Sequence, residues 1–182
     1  MKYLSLVLFA LLISSSSLEG KTKFKYDKTV DFTKFNTYSF MGWEKNCNHK
    51  LSEIDKTIIE EALKLELNEK GYEFLESLGN YNITLFVVDD ESLAGTTYNA
   101  FYGGFGYIRS TWGWGNGATF SHYSSETYRE GTLVIDFYDS TTAKLVWQGV
   151  LPELIKNVSV KRELIVNDAI NQLMHKFPKK KQ

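Results

Sequence analysis

The sequence predicts an α+β fold, a two-layer sandwich in which a mainly antiparallel sheet of about 5–6 strands carries two helices packed on one face. Three observations lead there. Two well-separated segments repeat apolar residues at three- and four-residue steps, the period of a half-buried helix. Several shorter segments are apolar or alternate apolar with polar, the period of a strand. Each helical segment has one apolar face, and two such faces are covered most economically by one side of one sheet.

The first twenty residues stand outside this domain. Lys2 precedes an apolar run, Tyr3–Ile13, followed by the small polar residues Ser14–Ser17 and then Gly20. This is the layout of an export signal, with cleavage expected after Ser17 or Gly20. The run is shorter than the roughly 20 residues of a membrane span. Residues 21–178 are then one α+β domain with a glycine and aromatic insert at about 95–130, and residues 179–182 a basic tail. Cys47 is the only cysteine of the 182 residues, so an intrachain disulfide framework is excluded. The formal net charge of −1 offers no basic field for nucleic acid.

Within the domain, Lys23–Asp27 alternates Phe24 and Tyr26 with lysines, and Val30–Trp43 continues as extended chain. A turn over Asp31–Lys34 is expected to fold the second strand near the first. Ser52 is a natural helix N-cap, with Glu53 and Asp55 placed for the dipole. Ile54, Ile58, Ala62 and Leu65 form a helical stripe, widened by Ile59 and Leu63, while Glu60, Glu61, Lys64 and Glu66 fall mainly on the other side. Gly71 ends this helix, because glycine enters the left-handed region at little cost. Tyr81–Val88 reads as a buried strand. Gly131–Leu151 reads as a hairpin turning at Asp139–Lys144, with Leu133, Ile135 and Phe137 on one side and Asp136 and Tyr138 on the other. Val166, Ala169, Ile170, Leu173, Met174 and Phe177 mark the last helix, which Pro178 stops.

Between the buried strand and the hairpin lies Asn99–Tyr123, dense in rings and glycine, with Arg109 as its one full charge. Three readings stand: strand extensions and a long loop packed by their own rings, a partner surface, or a ligand surface. In the last two, Tyr102, Tyr107, Trp112 and Trp114 are the candidate binding residues, since rigid rings give large contact for little entropy. No nucleophile elbow, zinc-protease motif or phosphate loop occurs. Cys47 and His49 fall short of the three or four ligands zinc needs, so neither metal nor cofactor is expected. Asp136, inside an apolar strand, needs a hydrogen-bonding partner, for which Arg129, Lys144 or a tyrosine hydroxyl is available. Asp136, Trp147 and Gly71 are read as structural.

Three stretches together resemble a family of bacterial envelope proteins, the domain-of-unknown-function 4136 family. They are Tyr26–Phe40 (Tyr26, Asp27, Asp31, Phe32, Phe35, Thr37, Tyr38, Phe40), Gly131–Gly149 (with Asp136, Asp139, Lys144, Leu145, Trp147, Gly149) and the closing Ala169–Pro178; Lys70–Tyr72 adds a fourth match. The resemblance covers nearly all of the domain. Most of that family resemble lipoproteins, yet no cysteine stands at the cleavage point here. Alanine occupies position 143, where glycine is frequent; a positive φ there makes alanine cost about 1 kcal/mol. The resemblance implies an exported envelope protein, periplasmic, outer-membrane-associated or secreted, and carries no agreed activity. A non-enzymatic binding or assembly role with an envelope partner is the first expectation. A glycan-binding module is the second, and a hydrolase using Ser121, His122 and Asp136 the third.

Overall fold

The alternation of lysine and aromatic residues in β1 (Lys23–Tyr26) sets both of its rings on one side of the strand. The computed structural model describes residues 22–43, 51–88, 130–155 and 161–178. After β1 comes a 3-10 turn, Phe32–Lys34, opened by Asp31, whose side chain accepts from the Thr33 amide at 3.1 Å. Then follow β2 (Thr37–Trp43), α1 (Glu53–Glu69), β3 (Glu73–Phe74), β4 (Tyr81–Val87), β5 (Leu133–Asp139), β6 (Leu145–Leu151) and α2 (Arg162–Met174).

The strands form one six-stranded sheet in the order β1-β6-β5-β4-β2-β3. The pairs β1/β6, β6/β5 and β5/β4 are antiparallel, while β2 runs parallel to β3 and β4. The α+β sandwich is the expected one, with a mixed sheet. The parallel pairing follows from α1, which returns the chain between β2 and β4 as a crossover.

The turn after β1 does not fold β2 beside it. Strands β6, β5 and β4 lie between them. Phe32 packs edge-on against Phe177 at 6.4 Å, and Phe35 stacks on Tyr81 at 4.2 Å. Burying these rings carries the chain across the end of the sheet, where a tight hairpin would leave them in water.

Both helices lie on one face. Tyr38 and Trp43 of β2 point to it: the Trp43 indole donates to Glu60 Oε1 at 2.7 Å. Leu173 of α2 lies against Gly149 of β6 on the same side. The helices run in the same direction, since Arg162 Nη1 meets Asp55 Oδ1 at 3.1 Å near both starts and Asn171 Nδ2 donates to Glu66 Oε1 at 2.6 Å further on.

The buried stripe of α1 is rotated from the expected one. Ile59, Ala62, Leu63, Glu66 and Leu67 are buried, whereas Ile54 and Leu65 are 73% and 58% exposed. The bond from Asn171 satisfies the Glu66 carboxyl, so an acid occupies a position that patterning assigns to solvent. In α2 the buried residues Val166, Ala169, Ile170, Leu173 and Met174 are those the spacing indicates. Strands β4, β5 and β6 are buried on both faces, the second carrying Asn82, Thr84, Phe86, Val134, Asp136, Gln148 and Val150.

Candidate functional site

The strand directions separate the sheet into two unlike ends. β2, β4 and β6 run the same way, so their C-terminal ends share one end of the sheet, here the upper end, with the start of β5. Both helices begin there. The described ends that flank residues 44–50, 89–129 and 156–160 therefore all lie towards the upper end. At the lower end the connections are short and closely bonded.

The upper end is a hydrogen-bonded collar. Beyond the Val87–Leu133 pair, the Val88 amide donates to the Thr132 carbonyl at 2.9 Å and the Gly131 amide to the Val88 carbonyl at 2.8 Å. Residues 89–129 thus leave and rejoin the sheet at one corner. The Gly131 carbonyl in turn accepts from the Ile155 amide at 3.0 Å, tying the chain after β6 to the same corner. Gly131 has φ 78, a conformation suited to glycine. Beside the collar, Ser52 and Asp55 form a reciprocal capping box on α1, with 3.1 Å and 3.3 Å bonds. The Asp55–Arg162 pair, largely buried, then joins the starts of the two helices.

The lower end is an aromatic cluster. Phe177, just past α2, meets Phe137 at 4.6 Å, Trp147 at 5.1 Å, Tyr72 at 5.6 Å and Tyr81 at 5.9 Å. Phe32 and Phe35 close it from below. Most contacts are edge-on, the arrangement ring quadrupoles favour. Burial pushes the Tyr81 and Tyr72 phenols above their ordinary range and that of Tyr38, beside the Glu61 charge, up to about 12. Outside the cluster, the Thr29 hydroxyl and amide hold the Asp27 carboxyl below its usual value.

Trp147 is fully buried, and its ring lies over Gly149 of its own strand. A Cβ at Gly149 would collide with Cη2 of the ring and come to 2.6 Å from Leu173. Gly71 has φ 86 and closes α1, its amide donating to Asn68 at 2.9 Å and that of Tyr72 to Leu67 at 3.0 Å. Asp136 is fully buried and accepts from Gln148 Nε2 at 2.8 Å. Gln148 is a partner that the sequence reading did not name, although the hairpin register sets the two residues directly opposite, and Arg129 lies outside the described residues. Ala143 has φ 53, with its amide bonded to Asp139 at 2.8 Å.

Tyr102, Tyr107, Trp112, Trp114, Cys47, His49, Ser121 and His122 lie outside the described residues. The structure thus describes Asp136 alone of the three residues named for a hydrolase. His175 follows α2 at the lower end, exposed. Among the described residues no three His, Cys, Asp or Glu side chains gather as a metal site. No described helix is long and apolar enough to cross a membrane.

The chain matches the family model described as domain of unknown function (DUF4136) over residues 22–179. Among solved structures it is similar to a DUF4136 family protein from Bacteroides thetaiotaomicron, at 17% identity and a TM-score of 0.64, over 85% of this chain and 93% of that one. It is also similar to a PDZ domain protein from Parabacteroides distasonis, at 19% identity and a TM-score of 0.50, over 87% of this chain and 36% of that one. At these identities the likeness is one of fold. No curated protein matches the chain. The residues that carried the sequence resemblance, among them Phe32, Phe35, Tyr72, Trp147 and Phe177, meet in one aromatic cluster, and with the match over nearly the whole domain they make this chain a member of the DUF4136 family.

Proposed function

We propose that this chain is an exported bacterial cell-envelope protein that acts by binding or assembly rather than by catalysis. In this reading the glycine-aromatic segment, with Tyr102, Tyr107, Trp112 and Trp114, meets the partner. The collar carries the proposal: residues 89–129 start and end on hydrogen-bonded neighbours at the corner formed by Val88, Gly131 and Thr132. A segment held at both ends by a rigid sheet is a natural mount for a contact surface. The motif residues add support, since those described build the fold instead of converging on a reactive group. The apolar run Tyr3–Ile13 supports export.

Photo-crosslinking in the native envelope from positions 102, 107, 112 and 114 tests the reading. The expected result is one specific envelope partner, together with a processed N-terminus after residue 17 or 20. Recovery of no specific partner, or retention of residues 1–20 in the cytoplasm, contradicts it. A tryptophan-fluorescence shift with envelope polysaccharide, abolished by Trp112→Ala with Trp114→Ala, makes the partner a glycan.

A further inference from the structure

The two edges of the sheet are β1 and β3, and both leave large apolar side chains in solvent. On β1, Phe24 and Tyr26 are 38% and 39% exposed and stack at 6.2 Å with 6° between their planes. On the opposite edge Phe74 is 36% exposed. Beyond it Leu78 is 91% exposed and has φ 62. A leucine in that conformation is strained, and at that exposure packing does not offset it. Strain kept without a structural return points to function.

The two edges match on both faces of the sheet. Phe24 and Tyr26 stand opposite Gly149 and Trp147, and Phe74 opposite Tyr38, so all three rings are on the helix-bearing face. On the other face β1 presents exposed Lys23 and Lys25, and β3 presents exposed Glu73. Lys28 extends the basic edge, and Glu69 and Glu76 flank the acidic one, all exposed. Near the basic edge, Asp27 is engaged by Thr29 at 2.6 Å. Near the acidic edge, Lys64 pairs with Glu61 at 2.7 Å and lies over the Phe74 ring at 5.0 Å. β1 and β3 run in opposite directions, so joining them extends the sheet as an antiparallel ladder.

We infer that the chain self-associates head to tail, the basic-aromatic β1 edge of one copy seating on the acidic, Leu78-bearing edge of the next. The two surfaces differ, so the contact is heterologous and copies add into a ring or a row. These edges are separate from the collar, so the inference does not rest on the function proposed above.

Sedimentation velocity on the processed protein tests it. The mass should rise above the monomer with concentration and fall back in high salt, which screens the facing charges. Leu78→Asn separates interface from folding: asparagine tolerates the left-handed region, so Tm holds or rises while association weakens by ~10-fold or more. Phe24→Ser with Tyr26→Ser weakens association from the other edge. Mixed in equal amounts, the two variants each keep one good edge and form dimers that grow no further. A monomer at every concentration, an assembly unchanged by either variant, or mixed variants that stay monomeric overturns the inference.

Discussion

Replacing Gly149 with alanine is a sharp perturbation of the lower end. The new Cβ would stand 2.6 Å from Leu173 Cδ2 and 2.7 Å from Trp147 Cζ3. Carbon atoms are best placed at about 3.5–4.0 Å, so each contact is short by roughly 1 Å. The indole has little room to retreat, because Phe137 and Phe177 each meet it at 5.1 Å, edge-on. Leu173 is fully buried. Overpacking of this kind costs about 1–3 kcal/mol. Alanine's lower entropy loss in a strand returns about 0.5–1 kcal/mol. With contacts this short the overpacking outweighs the return, leaving a net destabilisation of up to about 2.5 kcal/mol, which for a domain of this size lowers Tm by up to roughly 5–10 °C. Thermal unfolding followed by circular dichroism measures it, with the near-ultraviolet band reporting on the buried indole. A Tm equal to or above that of the parent would refute the placement of Trp147 over Gly149 beneath α2.

Ala143→Gly should act in the opposite direction. It relieves a φ of 53 at a gain of about 1–2 kcal/mol, less about 0.4–1 for the freer unfolded chain, so Tm holds or rises by up to roughly 6 °C, and a fall contradicts the strain. Gln148→Leu removes the amide that donates to buried Asp136 and should cost about 1–3 kcal/mol in urea unfolding, with unchanged m-value. The buried phenols give a pH dependence. Tyr38, Tyr72 and Tyr81 hold their protons more tightly folded than unfolded, so stability is full below the ordinary phenol value of about 10 and falls as pH rises towards the raised ones, about 12 for Tyr38. Absorbance at high pH should show their ionisation together with unfolding; smooth ionisation in a protein that stays folded contradicts their burial.

Much of this fold is legible in the sequence because its signals are local. Asp139 bonds the Thr141 amide at 2.8 Å, which is turn chemistry that a short window contains. The spacing of Val166 to Phe177 identifies the buried side of α2 because no polar residue interrupts it. The rest depends on contacts between distant segments. Glu66 looks like a solvent residue until Asn171, far along the chain, is seen to bond it. The parallel pairing of β2 with β4 leaves no mark in either strand, and β3 is too short to give a period. Phe32 reads as part of a turn near β1 and Phe35 as extended chain after it, yet both belong to a core that Phe177, just past the last helix, completes. For the candidate site, the collar rests on backbone bonds from Val88, Gly131 and Ile155, for which no side-chain pattern codes.

In the function proposed above, the lower end makes the fold and the glycine-aromatic segment meets the partner. The most direct measurement is recovery of an envelope partner by the processed protein and by a variant with Tyr102, Tyr107, Trp112 and Trp114 all changed to alanine. The parent should recover a specific partner, and the variant should lose it while unfolding at the same temperature. Equal recovery by both proteins would contradict it.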